Sequence, residues 1–334
     1  MTTPYIPRNL AAQPRATELL RVIVFGGTGV GKTSFVNDAS GSNLQVGHGL
    51  PSCTKAVQAG PVFTIDGRAV QLFDTPGFDD TTLTDTEILR SISEFLLNLY
   101  NQTQPITGIV YLHRITDNRM SGASIRALRL FEKICGMHAM GNAVIVTNMW
   151  SVPRDPQEET RENQLKAEYF SSAITNGAKV ARRGGAGPES ALAILSLLLN
   201  CQPITLELQS EMGLQNLALD ETEAGALVDQ NLRMRLERQQ REKMELEEEL
   251  KEAIMDRDRR AQEQLERFKR DKEMQVKQLQ GQLDALREAS DRQRQKIKSH
   301  TESGEQHAGG STNQSSSKPG RGFGWGRRRN HNGS

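Results

Sequence analysis

The chain has 334 residues, 36% apolar and 25% charged, with a formal net charge of +1. That length holds one α/β domain and more besides, while the low apolar share means that part of the chain lacks a core of its own. The near-neutral charge gives no general attraction to nucleic acid or anionic membrane, and neither is expected as a partner. Cys53, Cys135 and Cys201 are far apart and odd in number. They form neither a disulfide framework nor a zinc site, and they suit a reducing, cytoplasmic setting. The longest apolar run, residues 191–199, is interrupted by Ser196. A membrane span needs about 20 such residues, so no transmembrane segment is expected.

Residues 1–18 carry prolines and no continuous apolar core, so they read as a mobile leader rather than a signal peptide. Residues 19–205 alternate between apolar runs and amphipathic stretches. Residues 21–25 (RVIVF) read as a buried strand, followed by a glycine-rich turn and a helix over 34–39. Residues 62–66 and 69–73 flank Asp66-Gly67, a hairpin signal. Ile88, Ile92, Phe95 and Leu99 predict a helix over 84–100, and residues 108–113 a strand. Ile125, Leu128, Phe131 and Cys135 mark the apolar side of the next helix, and 143–147 reads as another strand. Asp155-Pro156 then opens a helix with a cap and a proline at its first position, and 189–200 makes a last helix. The alternation predicts a three-layer α/β domain.

From residue 206 to 300 Glu, Lys, Arg, Gln and Leu dominate. Glu247/Lys251, Glu263/Arg267 and Glu266/Arg270 are acid-before-base pairs that favour helix. Leu232, Leu236, Leu246, Leu250 and Ala253 fit one heptad frame; Val276, Leu279, Leu283, Leu286 and Ile297 fit another. Asp258, Lys269 and Lys272 fall on seam positions between them, which reads as a broken coiled coil or, alternatively, a solvated single helix. One continuous helix would extend about 140 Å, and such a rod must pair, fold back or stay solvated. Residues 301–334, with Lys318, Arg321, Trp325 and three consecutive arginines at 327–329, read as a disordered, solubilising tail.

Gly26-Gly27-Thr28-Gly29-Val30-Gly31-Lys32-Thr33 matches G-x-x-x-x-G-K-[ST] at every position and lies between a predicted strand and helix, with Ser34 next. Such a loop curls so that consecutive backbone N–H groups, backed by the helix dipole, meet phosphate oxygens. Lys32 is assigned to the β- and γ-phosphates and Thr33 to Mg²⁺. Asp74-Thr75-Pro76-Gly77 ends a predicted strand. Asp74 is expected to hold the Mg²⁺ water shell, and the Gly77 N–H to touch the γ-phosphate. Thr54, after the flexible stretch 41–52, is the candidate for a threonine that ligates Mg²⁺ only when the γ-phosphate is present, with Ser52 or plain capping as the alternatives. Lys32, Thr54 and Gly77 are the candidate catalytic groups.

GGTGVGKTSF, SCT and DTPGFDD together resemble the translation-factor-related GTPases, nearest the septin, immunity-associated (GIMAP) and chloroplast-import (Toc) branch. Residues 111–122 and the strand after them resemble, more narrowly, fungal G-domain proteins with a helical tail. The resemblance covers about residues 20–200. It implies a six-stranded, mostly parallel sheet, GTP/GDP and Mg²⁺ as cofactors, and pairing of one G domain with another.

Two departures follow. Guanine recognition in this superclass uses [NT]-K-x-D after the fifth strand. Here Thr147 and Asn148 stand at the expected place as nucleotide contacts, and Trp150 holds the aspartate position, where it either stacks on the base or packs. Many signalling GTPases place a glutamine where this chain has Phe78, which cannot orient water. Asp79, Asp80, His113 and Arg114 are candidate substitutes, with His113 read first as structural and Arg114 as a possible finger across a dimer. The expectation is a slow, Mg²⁺-dependent GTPase acting as a switch or self-assembling scaffold. A nucleotide-binding module without turnover and an ATP-specific P-loop protein are the alternatives.

Overall fold

A computed structural model describes residues 19–46, 54, 56–78, 83–255 and 259–308. The predicted leader, Ser52, Cys53, Asp79, Asp80, Asp258 and residues 309–334 of the tail lie outside them. Strand β1 (Leu20–Gly26) sits mid-sheet because it is apolar on both faces. Ile23 and Phe25 face one side and Val22 and Val24 the other, all fully buried. It pairs in parallel with β4 (Arg68–Asp74) and β5 (Gly108–Arg114); β6 (Ala143–Asn148) and β7 (Lys179–Arg182) continue outward in parallel. At the other edge β2 (Gln58–Ala59) and β3 (Phe63–Ile65) both run antiparallel to β4. The described sheet therefore has seven strands rather than six, mostly parallel. The predicted hairpin turns at Asp66-Gly67 between β3 and β4, with both residues at positive φ.

Helices α1 (Lys32–Ser40) and α6 (Pro188–Ser196) cover one face through Phe35, Val36, Ala191 and Ile194. Helices α2 (Asp85–Asn101) and α3 (Gly122–Cys135) cover the other. Helix α2 starts with a full capping box between Thr84 and Glu87, worth about 1 kcal/mol. Helix α4 (Pro156–Gln164) starts on Asp155, whose carboxylate accepts from the Gln157 N–H, with proline at the first turn as the sequence predicts. It continues as a π-helical turn, Leu165–Tyr169, into the short α5 (Ser171–Thr175).

The core continues past residue 205. Leu206, Leu208, Met212 and Leu219 sink into the core beneath α2 and α3, carried by α7 (Glu207–Gln209), a π-turn (Ser210–Leu214) and a 3₁₀ turn (Leu219–Glu221). Helix α8 (Glu223–Met255) adds Ala224, Val228 and Leu232. Helix α9 (Arg259–Ala308) then adds Leu279, Leu283 and Leu286. The shift toward charged composition at 206 hides these few apolar residues, which lie on successive short turns of different pitch and continue the core.

Of the three options for the helical segment, the chain takes folding back. Gln262 donates to the Ala253 carbonyl, Lys269 meets Glu247, and Lys272 meets Glu242. Arg294 reaches Asp220 and Glu221. These pairings fix α8 and α9 as antiparallel. The seam lysines predicted to break a coiled coil are thus matched by acids on the facing helix. Near the sheet the seam is apolar; farther out it is ionic. Exposed pairs of this kind contribute little and are screened by salt. At about 1 M salt, amides of residues 240–255 and 259–275 should lose some hydrogen-exchange protection, while 228–236 and 279–290 keep theirs.

Candidate functional site

The loop between β1 and α1 curls as its motif requires, with Gly29 at φ 74° and Gly31 at φ 91°. Helix α1 has no side-chain cap, which leaves its first N–H groups for an anion. The Lys32 side chain is buried and its Nζ donates to the Gly27 carbonyl at 2.8 Å, folding over the loop. From the end of β4, Gly77 closes the other side. A Cβ on Gly77 would meet the Thr28 hydroxyl, lie 2.7 Å from Thr28 Cα and 2.9 Å from Lys32 Nζ. Only glycine permits that approach.

Thr33, Thr54 and Asp74 converge, though 20 or more residues separate the partners in sequence. Thr33 Oγ1 donates to Asp74 Oδ2 at 2.6 Å, Thr54 Oγ1 donates to the same oxygen at 3.3 Å, and the two hydroxyls lie 3.4 Å apart. Asp74 is fully buried. Burial pushes its carboxyl above the usual carboxylate range, against the pull of the Thr33 hydroxyl, the Lys32 ammonium and the Thr54 hydroxyl. Its Oδ1 has no hydrogen-bond partner among the described residues. A buried carboxylate oxygen left without a donor, beside two hydroxyls, suits a hard cation that keeps part of its water shell, as Mg²⁺ does. No group of three or more His, Cys, Asp or Glu able to hold a metal occurs among the described residues.

Beyond Gly77 the chain turns inward. The Thr28 N–H donates to the Phe78 carbonyl at 3.0 Å and the Phe78 N–H to the Gly26 carbonyl at 3.3 Å. The Phe78 ring is buried and stacks on Phe25 with centroids 6.2 Å apart. It is a core residue and directs nothing toward a water.

Residues 21–124 match the family model described as 50S ribosome-binding GTPase. With phosphate loop, Asp74 strand end and parallel sheet in place, that match decides the architecture. The chain has the P-loop GTPase fold. The G domain is 28% identical over 149 residues to GTP-binding protein A of Dictyostelium discoideum, which covers 43% of this chain and 31% of that protein. It is 29% identical over 129 residues to Translocase of chloroplast 90, chloroplastic, of Arabidopsis thaliana, covering 38% of this chain and 16% of that one. The matches thus span less than a third of either relative. Among solved structures, Toc33 from Arabidopsis thaliana in complex with Mg²⁺ and GMPPNP superposes with a TM-score of 0.43 at 19% identity, over 57% of this chain and 88% of that one.

At the end of β6 the G domain sets Asn148, rather than Thr147, against the phosphate loop. Asn148 Nδ2 donates to the Val30 carbonyl at 2.8 Å, whereas the Thr147 hydroxyl donates the other way, to Glu162 at 2.9 Å. Glu162 is fully buried and also accepts from Lys166 and Arg182; these donors hold its carboxyl below the usual range against the opposing effect of burial. Trp150 donates its ring N–H to the Thr147 carbonyl at 3.0 Å, with the Arg182 guanidinium 4.8 Å and that of Arg154 5.6 Å from its ring centroid. Its polar atom and π-face are used internally, so it packs. Arg183, also buried, pairs with Asp38 of α1 and lies over the Phe35 ring, joining the β7 end to the phosphate-loop helix. Glu158, Glu162 and Arg183 carry little sequence signal of this role. The one available sign was the pair of acids four apart on α4, which a polar helix normally turns to solvent.

Of the candidate substitutes for a catalytic glutamine, the two among the described residues are otherwise engaged. Arg114 pairs with Asp117 at 2.7 Å. His113 is buried, edge-on to Phe170 with centroids 5.7 Å apart. Burial lowers its pKa from 6.5 to about 4, with Asp117 opposing and Arg114 adding to the shift. Because the folded form resists protonation, His113 leaves stability intact above pH 6.5. It should remove roughly 3 kcal/mol as pH falls from there to 4. Melting curves of His113→Leu should lose that part of the pH dependence.

Proposed function

We propose that the chain binds GTP with Mg²⁺ at this site, hydrolyses it slowly to GDP and phosphate, and works as a nucleotide-controlled switch or scaffold of the septin, GIMAP and Toc branch. The observation that carries the reading is the convergence of Thr33, Thr54 and the unsatisfied Asp74 oxygen beside a loop closed by Lys32. When bound, Mg²⁺ would be held by Thr33 and Thr54 and, through water, by Asp74, and would neutralise charge on the β- and γ-phosphates. Gly26, Thr28, Gly29, Val30, Gly31 and Ser34 supply backbone or hydroxyl donors to the phosphates. Lys32 contacts the terminal phosphates, the Gly77 N–H reports the γ-phosphate, and Asn148 braces the loop from β6.

Phe78 favours a second reading, binding without meaningful turnover, because its burial leaves the G domain no side chain at that position for positioning water. Phosphate release with Mg²⁺ and either GTP or ATP separates these readings. Slow release from GTP supports the first, and tight binding without release supports the second. Preference for ATP would overturn the assignment of the base.

Self-association belongs to the same proposal, through G domains rather than the tail, since α8 and α9 satisfy each other's seam. Light scattering with GDP and with a non-hydrolysable GTP analogue tests it; a monomer mass in both states would refute pairing. We infer a cytoplasmic location from the unpaired thiols of Cys135 and Cys201. No described helix is long and apolar enough to cross a membrane.

A further inference from the structure

Glu158 is an acid in the wrong place for a polar helix. It lies on the first turns of α4, yet only 1% of its surface is exposed. Its carboxylate is spent on one neighbour, accepting the Ser151 N–H at 3.1 and 3.2 Å and the Ser151 hydroxyl at 2.6 Å. Ser151 itself is only partly buried. A hydroxyl carries one proton, and here that proton is committed to a buried carboxylate. What Ser151 Oγ can offer a ligand is lone pairs alone.

Its place in the fold gives this polarity a use. In open α/β sheets ligands sit beyond the carboxyl ends of the strands. With phosphates in the loop after β1, the remainder of a nucleotide extends over the ends of β6 and β7. Asn148 Nδ2 and Met149 Cε already lie against Gly31, 2.9 and 3.4 Å from where its Cβ would stand. Ser151 follows two residues on. Trp150 is excluded from reading a base because its ring N–H and face are engaged.

We propose that Ser151 reads the base, with Glu158 as the positioning residue that fixes its hydroxyl as an acceptor, and that this selects guanine over adenine. This inference rests on the reading of the site as a nucleoside triphosphate site. Guanine presents N1–H and the N2 amine as donors on one edge, whereas adenine presents a bare N1 lone pair. An oxygen whose proton is held elsewhere accepts from the first and repels the second. An unmet buried partner discriminates far more strongly than a missing methylene does.

Competition binding of GTP, inosine triphosphate and ATP, each with Mg²⁺, tests the inference in wild type, Ser151→Ala, Ser151→Thr and Glu158→Gln, with thermal melts as the folding control. Wild type should prefer GTP and bind inosine triphosphate, which keeps N1–H, nearly as well. Ser151→Ala should narrow the GTP:ATP ratio about tenfold, and Ser151→Thr should restore it. Glu158→Gln can donate to Ser151 and release the hydroxyl proton, so GTP should weaken while ATP strengthens. An unchanged ratio in folded Ser151→Ala, or equal binding of GTP and ATP by wild type, overturns the base assignment while leaving the phosphate site standing. Wild type that binds neither nucleotide overturns the underlying site instead.

Discussion

Lys32→Ala should lower affinity for Mg²⁺-GTP at least about a hundredfold and take phosphate release to background. The ammonium is buried, bends over the loop to the Gly27 carbonyl, and lies close to where a Gly77 side chain would stand. It is therefore organised before any ligand arrives. A charge-assisted hydrogen bond contributes about 1.5–3 kcal/mol, and in the proposed site this donor serves two phosphates. Loss of the cation also removes a charge that opposes the upward push of burial on the Asp74 carboxyl. Fluorescent-nucleotide titration measures the loss, and a melt without nucleotide checks the fold. Full-strength binding by the folded variant would remove the phosphate site from the account.

Phe78→Ala should destabilise the protein by about 3–5 kcal/mol, a fall in melting temperature on the order of 10 °C. The ring fills space between Phe25, α2 and α3, and shares a void of only about 10 Å³ with Ala127, Leu130, Leu227 and Val228. The surroundings cannot collapse easily around such a loss. Phe78→Leu should recover most of the stability. Phe78→Gln is the more telling variant. It buries an amide without an evident partner, so it should unfold early and show no faster phosphate release. A rise in turnover would mean that position 78 can swing outward, against the packing described above.

The glycine-rich loop and the Asp74 strand end were legible because each combines a fixed chemistry with a fixed place at the end of an apolar run, whereas Thr54 was a candidate only by its position between them. The parallel strands were legible because burial on both faces demands unbroken apolar residues. β2, of two residues, and β7, with only Val180 and Ala181 between charged ends, carry no such signal. The residues just after 205 were hidden for a different reason. Leu206, Leu208 and Met212 are spaced too irregularly for a helix repeat, since the turns that carry them tighten and widen within a few residues. The end of β6 is harder to read from its sequence. Thr147 resembles a contact but turns toward Glu162, and the aromatic at 150 drew notice from Ser151, whose acid lies seven residues on, across the turn into α4.

The opposed lysines and glutamates of the outer hairpin mark its register, small though the contribution of each pair is. Sliding one helix of the hairpin by a single residue would part Lys269 from Glu247 and Lys272 from Glu242 together. Adding seven residues to both arms at the far end would part neither. The arm is thus a length that can change in matched steps of two turns while both ion pairs keep their partners.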